Sequence, residues 1–202
     1  MYIVCSDLEG VFIPEIWINV AQQTGIEKLK LTTRDISDYD VLMKGRLEVL
    51  KQNDITLTEI QRIIAGMDPI AGAVDFIDWL RSKLQFIIVS DTFREFAAPM
   101  MVKLNMPTLL CHNLTTDSDD MIIDYNLRQQ NAKQKVVQAF QSLNYKVIAI
   151  GDSYNDLGML RQAEVGLLYN PPQNVIDENK DLPIAKSYDE LKKNILDIVN
   201  RS

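Results

Sequence analysis

IVCSDLEGVFIPE, residues Ile3 to Glu15, runs from an apolar stretch into two acids, Asp7 and Glu9, set two residues apart. The run YIVCSDL (2–8) is apolar throughout rather than alternating, the pattern of a strand buried on both faces of a parallel sheet. Three further runs share it: FIIVSD (86–91), VIAIGD (147–152) and VGLLYN (165–170). Helical patterns at 71–83, 93–105, 132–144 and 153–163 separate them. Strand then helix, repeated, predicts an α/β fold, a Rossmann-like parallel sheet core with right-handed crossovers.

Two segments break the rhythm. TLLCHNLTTDSDDMIIDYNL (108–127) holds two apolar runs around a polar TTDSDD, which predicts a β-hairpin on the core. Residues 13–68 hold three helical stretches with no strand between them: EIWINVAQQTG, DISDYDVLMKGRLEVLKQND and TLTEIQRIIAGM. The spacing in TLTE is that of a capping box and predicts a helix start near Thr58. The expected division is a core of 1–12 and 69–202 with an inserted helical cap of 13–68, bounded by Pro14 and Pro69. The tail YDELKKNILDIVNRS reads as an amphipathic closing helix. The sequence holds no repeat and no low-complexity segment.

The chain has 202 residues, 47% of them apolar and 24% charged, as expected of a soluble globular protein. A net charge of −7, without a run of Lys and Arg, argues against a nucleic-acid surface but leaves room for a small anion pocket. Cys5 and Cys111 are too few for a disulfide framework, so a reduced, cytoplasmic protein is expected. The N-terminus lacks the basic start and small-residue cleavage site of a signal peptide. No apolar run approaches the roughly 20 residues that span a bilayer, so no membrane partner is expected.

Three of the four expected core strands end in acids or hydroxyls: Asp7-Leu8-Glu9, Ser90-Asp91-Thr92, and the turn Gly151 to Asp156. Ligands of open α/β sheets bind outside the carboxyl ends of the strands, so these groups converge. Taken singly, Ser90, Thr92, Asp152 and Ser153 read first as helix N-caps. One cap needs one acid, however, which leaves the pairs Asp7/Glu9 and Asp152/Asp156 without a reason. Carboxylates crowded at one edge repel unless a positive charge sits among them. Oxygen-only ligands suit a hard divalent cation, and Mg²⁺ is the expected one where a phosphate completes its shell.

DLEGV, IIVSDT, Lys133 at a helix start, and GDSYND, in that order, resemble the four motifs of the haloacid dehalogenase superfamily. The likeness covers nearly the whole chain and is nearest to the phosphoserine phosphatase group. Within it, DLEGV.IPEIW, TTRD..DYDVLM..RL, SDTF.EF and TLLCH resemble the branch that joins phosphoserine phosphatase with phosphoserine:homoserine phosphotransferase. The resemblance implies that Asp7 is the nucleophile that takes up the phosphoryl group. It implies that Glu9 is the acid/base, with its backbone carbonyl on Mg²⁺. The metal group implied is thus Asp7, Glu9, Asp152 and Asp156, the last directly or at one remove. Ser90 and Lys133 would hold the phosphate, with Asp91 and Asn155 adding contacts there. Glu15 would bind the substrate ammonium and Arg46 its carboxylate, because a guanidinium grips a carboxylate by two parallel hydrogen bonds. Homoserine and water are the implied acceptors.

Plainer readings stand beside these. Lys133 and Arg46 could be solvated helix residues, and His112, the chain's single histidine, is expected to be structural. Met100, Met101, Trp17 and Trp79 read as packing. The competing functions are a phosphatase for another small phosphomonoester and a non-catalytic ligand sensor. A monomer or a homodimer is expected, with the hairpin as a dimer edge. Glu9 departs from the Asp-x-Asp pattern common in the superfamily, which predicts a pocket shaped for the longer side chain.

Overall fold

A computed structural model describes residues 1–32, 35–36 and 38–201. Thr33 and Arg34 of the TTRD stretch, Ser37 of the second expected helix, and Ser202 lie outside the described residues. The chain forms β1 (Tyr2–Ser6), α1 (Ile16–Thr24), α2 (Tyr39–Gln52), α3 (Leu57–Ala65), α4 (Ala73–Lys83), β2 (Gln85–Phe93) and α5 (Arg94–Lys103). There follow β3 (Leu109–Thr116), β4 (Ile122–Asn126), α6 (Ala132–Ser142), β5 (Lys146–Gly151) and α7 (Leu157–Gln162). β6 (Val165–Tyr169), α8 (Gln173–Glu178), β7 (Ile184–Ala185) and α9 (Tyr188–Asn200) complete it.

The seven strands make one sheet in the order β4-β3-β2-β1-β5-β6-β7, parallel except for the antiparallel β3–β4 pair. β1 lies inside it, Ser6 opposite Ile88 on one side and Ile150 on the other. Its residues alternate between two apolar layers, which explains the unbroken apolar run. Val4, Ile88, Ile148 and Ile150 pack with Phe76, Leu80, Leu191 and Ile195 of α4 and α9. Ile3, Cys5, Ile87, Val89, Val147 and Ala149 pack with Val136, Val137, Met159 and Leu160 of α6 and α7. The expected parallel sheet and hairpin are both present. Among the described residues, no helix is long and apolar enough to cross a membrane.

Between β1 and α4 the chain leaves the sheet and forms α1, a 3₁₀ turn at Glu27–Lys30, α2 and α3. Departure and return lie side by side, the Ile70 N–H donating to the Phe12 carbonyl at 2.9 Å. Thr56 caps α3 in a capping box with Glu59, as its spacing predicted. α2 starts later than expected, at Tyr39, because Asp38 accepts from the Asp40 and Val41 amides as its cap. The hairpin grips this insert from outside. Asp120 accepts the Leu57 N–H with its carbonyl (2.9 Å) and the Thr58 N–H with its carboxylate (2.8 Å). Tyr125 packs edge-on to Tyr39 and donates its hydroxyl to Asp40 at 2.6 Å. The 153–163 segment splits into a 3₁₀ turn at Tyr154–Asp156 and α7. α8 and β7 lie in a region for which the sequence pattern predicted no element.

Candidate active site

A cavity of about 410 Å³ opens at the carboxyl ends of β1, β2 and β5. It is lined by Asp7, Glu9, Ser90, Asp91, Lys133, Asp152 and Asn155 from the sheet side, and by Glu15 and Arg46 from the insert. Of the expected site residues only Asp156 is absent from the lining. It sits fully buried beneath the floor.

The floor is built on close backbone approaches. The Asp7 N–H donates to Ile150 of β5 at 2.9 Å, so the residue after β1 is still held by the sheet. Gly10 has φ +75°, and a Cβ there would lie 2.3 Å from Asp152 Oδ2. A Cβ on Gly151 would lie 2.4 Å from the Asp156 side chain. Only residues without a side chain let the two acidic loops meet. Oxygens of Asp7, Asp152 and Asp156 then lie within 4.8 Å of one another. Asp156 Oδ2 accepts the Asp152 and Ser153 amides at 3.0 and 3.1 Å, while Oδ1 accepts from Lys133 Nζ at 2.7 Å.

Lys133, 3% exposed, is no solvated helix residue. Besides Asp156, its ammonium faces Asp7 Oδ1 at 3.0 Å and Asp91 Oδ2 at 3.6 Å. One cation does not balance the cluster. Burial, then the charges of Asp156 and Asp152, outweigh Lys133 and hold the Asp7 carboxyl well above the usual carboxylate range. Burial, with Asp156 and Glu15, lifts Asp152 to about 7. Asp7 Oδ1 is buried and, among the described residues, has the Lys133 ammonium as its partner. For Asp91, burial works upward, but Lys133, His112 and Asn155 bring the carboxyl down to about 2.

Ser90 is buried, its Oγ accepting the Thr92 N–H at 3.2 Å. Neither it nor Thr92 caps a helix: β2 continues through them, and Phe93 holds the cap position of α5 with no side-chain bond. Ser153 does cap the short turn it precedes. Glu9 reaches out of the floor, where Oε2 accepts the Ile16 N–H at the start of α1 at 2.8 Å. Burial foremost, with the charge of Glu15, lifts its carboxyl to about 8.

On the insert side, Arg46 is 8% exposed, although it sits on a helix carrying charges on several sides. Its guanidinium lies 4.5 Å above the Trp17 ring and donates to the Leu31 carbonyl at 2.7 Å. Its Nε is buried with no hydrogen-bond partner among the described residues. Burial lowers its pKa to about 10 against the opposing pull of Tyr39, Glu9 and Glu15. Trp17, expected only to pack, and Tyr39 line the cavity as well. The aromatic residues within EIW and DYD were the available signal. A second cavity of about 500 Å³ borders the far side of Lys133, Asp91 and Asn155 and reaches His112.

The model of the haloacid dehalogenase-like hydrolase family matches residues 4–164. The chain is 52% identical over 202 residues to phosphoserine phosphatase ThrH of Pseudomonas aeruginosa, covering 100% of this chain and 98% of that protein. It is 52% identical over 199 residues to a phosphoserine phosphatase of Pseudomonas syringae pv. tomato, covering 98% of this chain and 84% of that one. Among solved structures, an analogue of the phospho-aspartyl intermediate of a phosphoserine phosphatase superposes with a TM-score of 0.76 at 18% identity, covering 96% and 98% of the two chains. A substrate-bound phosphoserine phosphatase gives 0.76 at 18%, covering 96% and 97%.

Proposed function

The chain belongs to the haloacid dehalogenase-like hydrolase family, and on that premise we propose that it is a Mg²⁺-dependent phosphoserine phosphatase that also transfers the phosphoryl group to homoserine. One observation carries the substrate. A single cavity has an ammonium among carboxylates at its floor and, at the insert side, a buried guanidinium whose Nε has no hydrogen-bond partner among the described residues, alongside Glu15. A buried donor left unpaired is costly, so the cavity calls for an anionic acceptor. Phosphoserine offers its carboxylate to Arg46, its ammonium to Glu15 and its phosphate to Ser90 and Lys133. Homoserine is serine with one more methylene and offers the same carboxylate and ammonium, which supports it as an acceptor.

In this reading Asp7 attacks phosphorus and forms an aspartyl-phosphate, dividing one difficult transfer into two easier ones. Glu9, its carboxyl lifted to about 8, is poised to protonate the departing serine oxygen and later to take the proton of the incoming water or homoserine. Ser90 and Lys133 orient the phosphoryl oxygens and neutralise charge that develops on them. The Asp91 carboxylate, engaged by Lys133 and His112, would repel a phosphate, so its own contact there would come from its backbone N–H.

The floor suits Mg²⁺: an Asp7 oxygen that faces Lys133 alone, Asp7 and Asp152 carboxyls raised by burial and then by the charge of Asp156, and a glycine that leaves room beside Asp152. Asp7 and Asp152 would hold the ion, with the Glu9 backbone carbonyl. Asp156, whose oxygens are engaged, would support them from beneath. Bound there, the ion supplies positive charge that stabilises the phosphoryl oxygens during transfer. The insert of 13–68 then acts as a cap that sets substrate choice through Glu15 and Arg46.

The test is to supply phosphoserine and Mg²⁺, with and without homoserine, and to measure free phosphate and phosphohomoserine together. We expect phosphate release that Asp7→Asn abolishes, and phosphohomoserine when homoserine is added. Phosphate no higher than the Asp7→Asn background overturns the reading. Phosphohomoserine that never appears removes the transferase half. Sugar phosphates turned over equally well, with no effect of Arg46→Ala, would move the substrate to another phosphomonoester.

A further inference from the structure

His112 lies on β3, 3% exposed, and both of its ring nitrogens face polar partners. Packing against Phe93 would ask for neither. Nδ1 accepts the Arg128 backbone N–H at 3.0 Å, which leaves the hydrogen of the neutral ring on Nε2. Nε2 faces Asp91 Oδ1 at 3.6 Å, and the other oxygen of Asp91 faces Lys133 Nζ at 3.6 Å. The Lys133 ammonium therefore stands among three carboxylates, and its three N–H donors match three corners. Two corners, Asp7 and Asp156, are buried in the floor, while the Asp91 side chain is 37% exposed to the cavity.

Nothing in β2 itself fixes that third corner. A half-exposed carboxylate beside an arriving phosphate would swing away by like-charge repulsion unless held from behind. His112 Nε2 stands behind it at 3.6 Å, and Asn155 Nδ2 donates to it at 3.4 Å. The same ring also grips the loop that presents Lys133, since Arg128 begins the turn into α6 and its guanidinium lies 3.5 Å from the Ala132 carbonyl. One side chain thus ties β3, the end of β2 and the start of α6 around the ammonium.

We propose that His112, acting through Asp91, is a positioning residue that holds the Lys133 ammonium in register with Asp7 for phosphoryl transfer. The inference rests on the phosphoryl-transfer reading of the site, though not on which phosphomonoester is used. Two isosteres separate its two nitrogens. His112→Gln places an amide N–H where Nε2 stands and keeps the donor to Asp91. His112→Asn places a carbonyl where Nδ1 stands and keeps only the acceptor for Arg128.

The test measures kcat and KM of the full chain with phosphoserine and with p-nitrophenyl phosphate, for both variants, Asp91→Asn and the double variant His112→Asn/Asp91→Asn. We expect His112→Asn to lose on the order of 10- to 100-fold in kcat on both substrates with KM little changed, the cost of a slightly misplaced charge. His112→Gln should recover most of it, and the double variant should lose no more than the worse single one, because both act on one ammonium. Wild-type turnover by His112→Asn, equal losses in the Gln and Asn variants, or multiplied losses in the double variant overturns the proposal. Wild-type turnover of p-nitrophenyl phosphate alone would sink phosphoserine as substrate, and the His112 comparison is then decided on p-nitrophenyl phosphate.

Discussion

Glu9 answers to two demands at once. It faces the cavity as the proposed acid/base, and its Oε2 accepts the first amide of α1, a helix whose own N-cap residue, Glu15, makes no side-chain cap. An Asp would stop about 1.5 Å short, one C–C bond. The longer side chain is therefore what reaches from the loop after β1 to the insert. Glu9→Asp is expected to lower kcat on the order of 10²-fold, the effect of misplacing the carboxyl by about 1 Å. It should also forfeit a cap worth about 1 kcal/mol, seen as a fall of ~2–4 °C in Tm. Steady-state kinetics and calorimetry on the same preparation check both, and wild-type values in each would show the extra methylene to be incidental.

At the scale of elements, the hairpin holds the insert in place. Asp120 takes two amides at the start of α3, and Tyr125 reaches Asp40 at the start of α2, beside Tyr39 on the cavity wall. Tyr125→Phe removes one hydrogen bond from this grip and leaves the sheet untouched. We expect KM for phosphoserine to rise roughly 2- to 10-fold, with kcat less affected. A titration of initial rates decides it, and an unchanged KM would show that the hairpin does not steady the wall. These elements were unevenly legible in the sequence. β1, β2, β5 and β6 announced themselves because both their faces are apolar. α8 and β7 did not, because six and two residues are too few to show a period. Arg46 stood out only by resemblance, since its helix is charged on several sides and Trp17, which buries it, comes from α1. The partners of His112 lie 16 and 21 positions away in the chain, and no local pattern carries such a pairing.

Across the whole molecule, α9 closes on the loop that follows β1. The Tyr188 hydroxyl, at the start of α9, donates to the Val11 carbonyl at 2.6 Å, 177 residues away in sequence. Its ring stacks on Phe76 and Tyr169 at 4.9 and 5.0 Å. Tyr188→Phe keeps the stack and leaves a buried carbonyl unpaired, at a cost of about 1–3 kcal/mol. Thermal denaturation should show Tm lower by ~2–10 °C, and activity should fall because Val11 follows Asp7 and Glu9 in one turn. An unchanged Tm would place the stability of that turn elsewhere. The hydrogen bond between Phe12 and Ile70 has a consequence for descent as well as for stability. The chain leaves the sheet and rejoins it at neighbouring points, so the segment between them is a graft on a closed stem. Doubling the length of such a graft costs only about 0.6 kcal/mol in closure entropy. Another insert could stand between those two residues while the strands, the aspartates and the lysine stay where they are. The newcomer must bring only ends that meet and a surface for Asp120 and Tyr125 to hold.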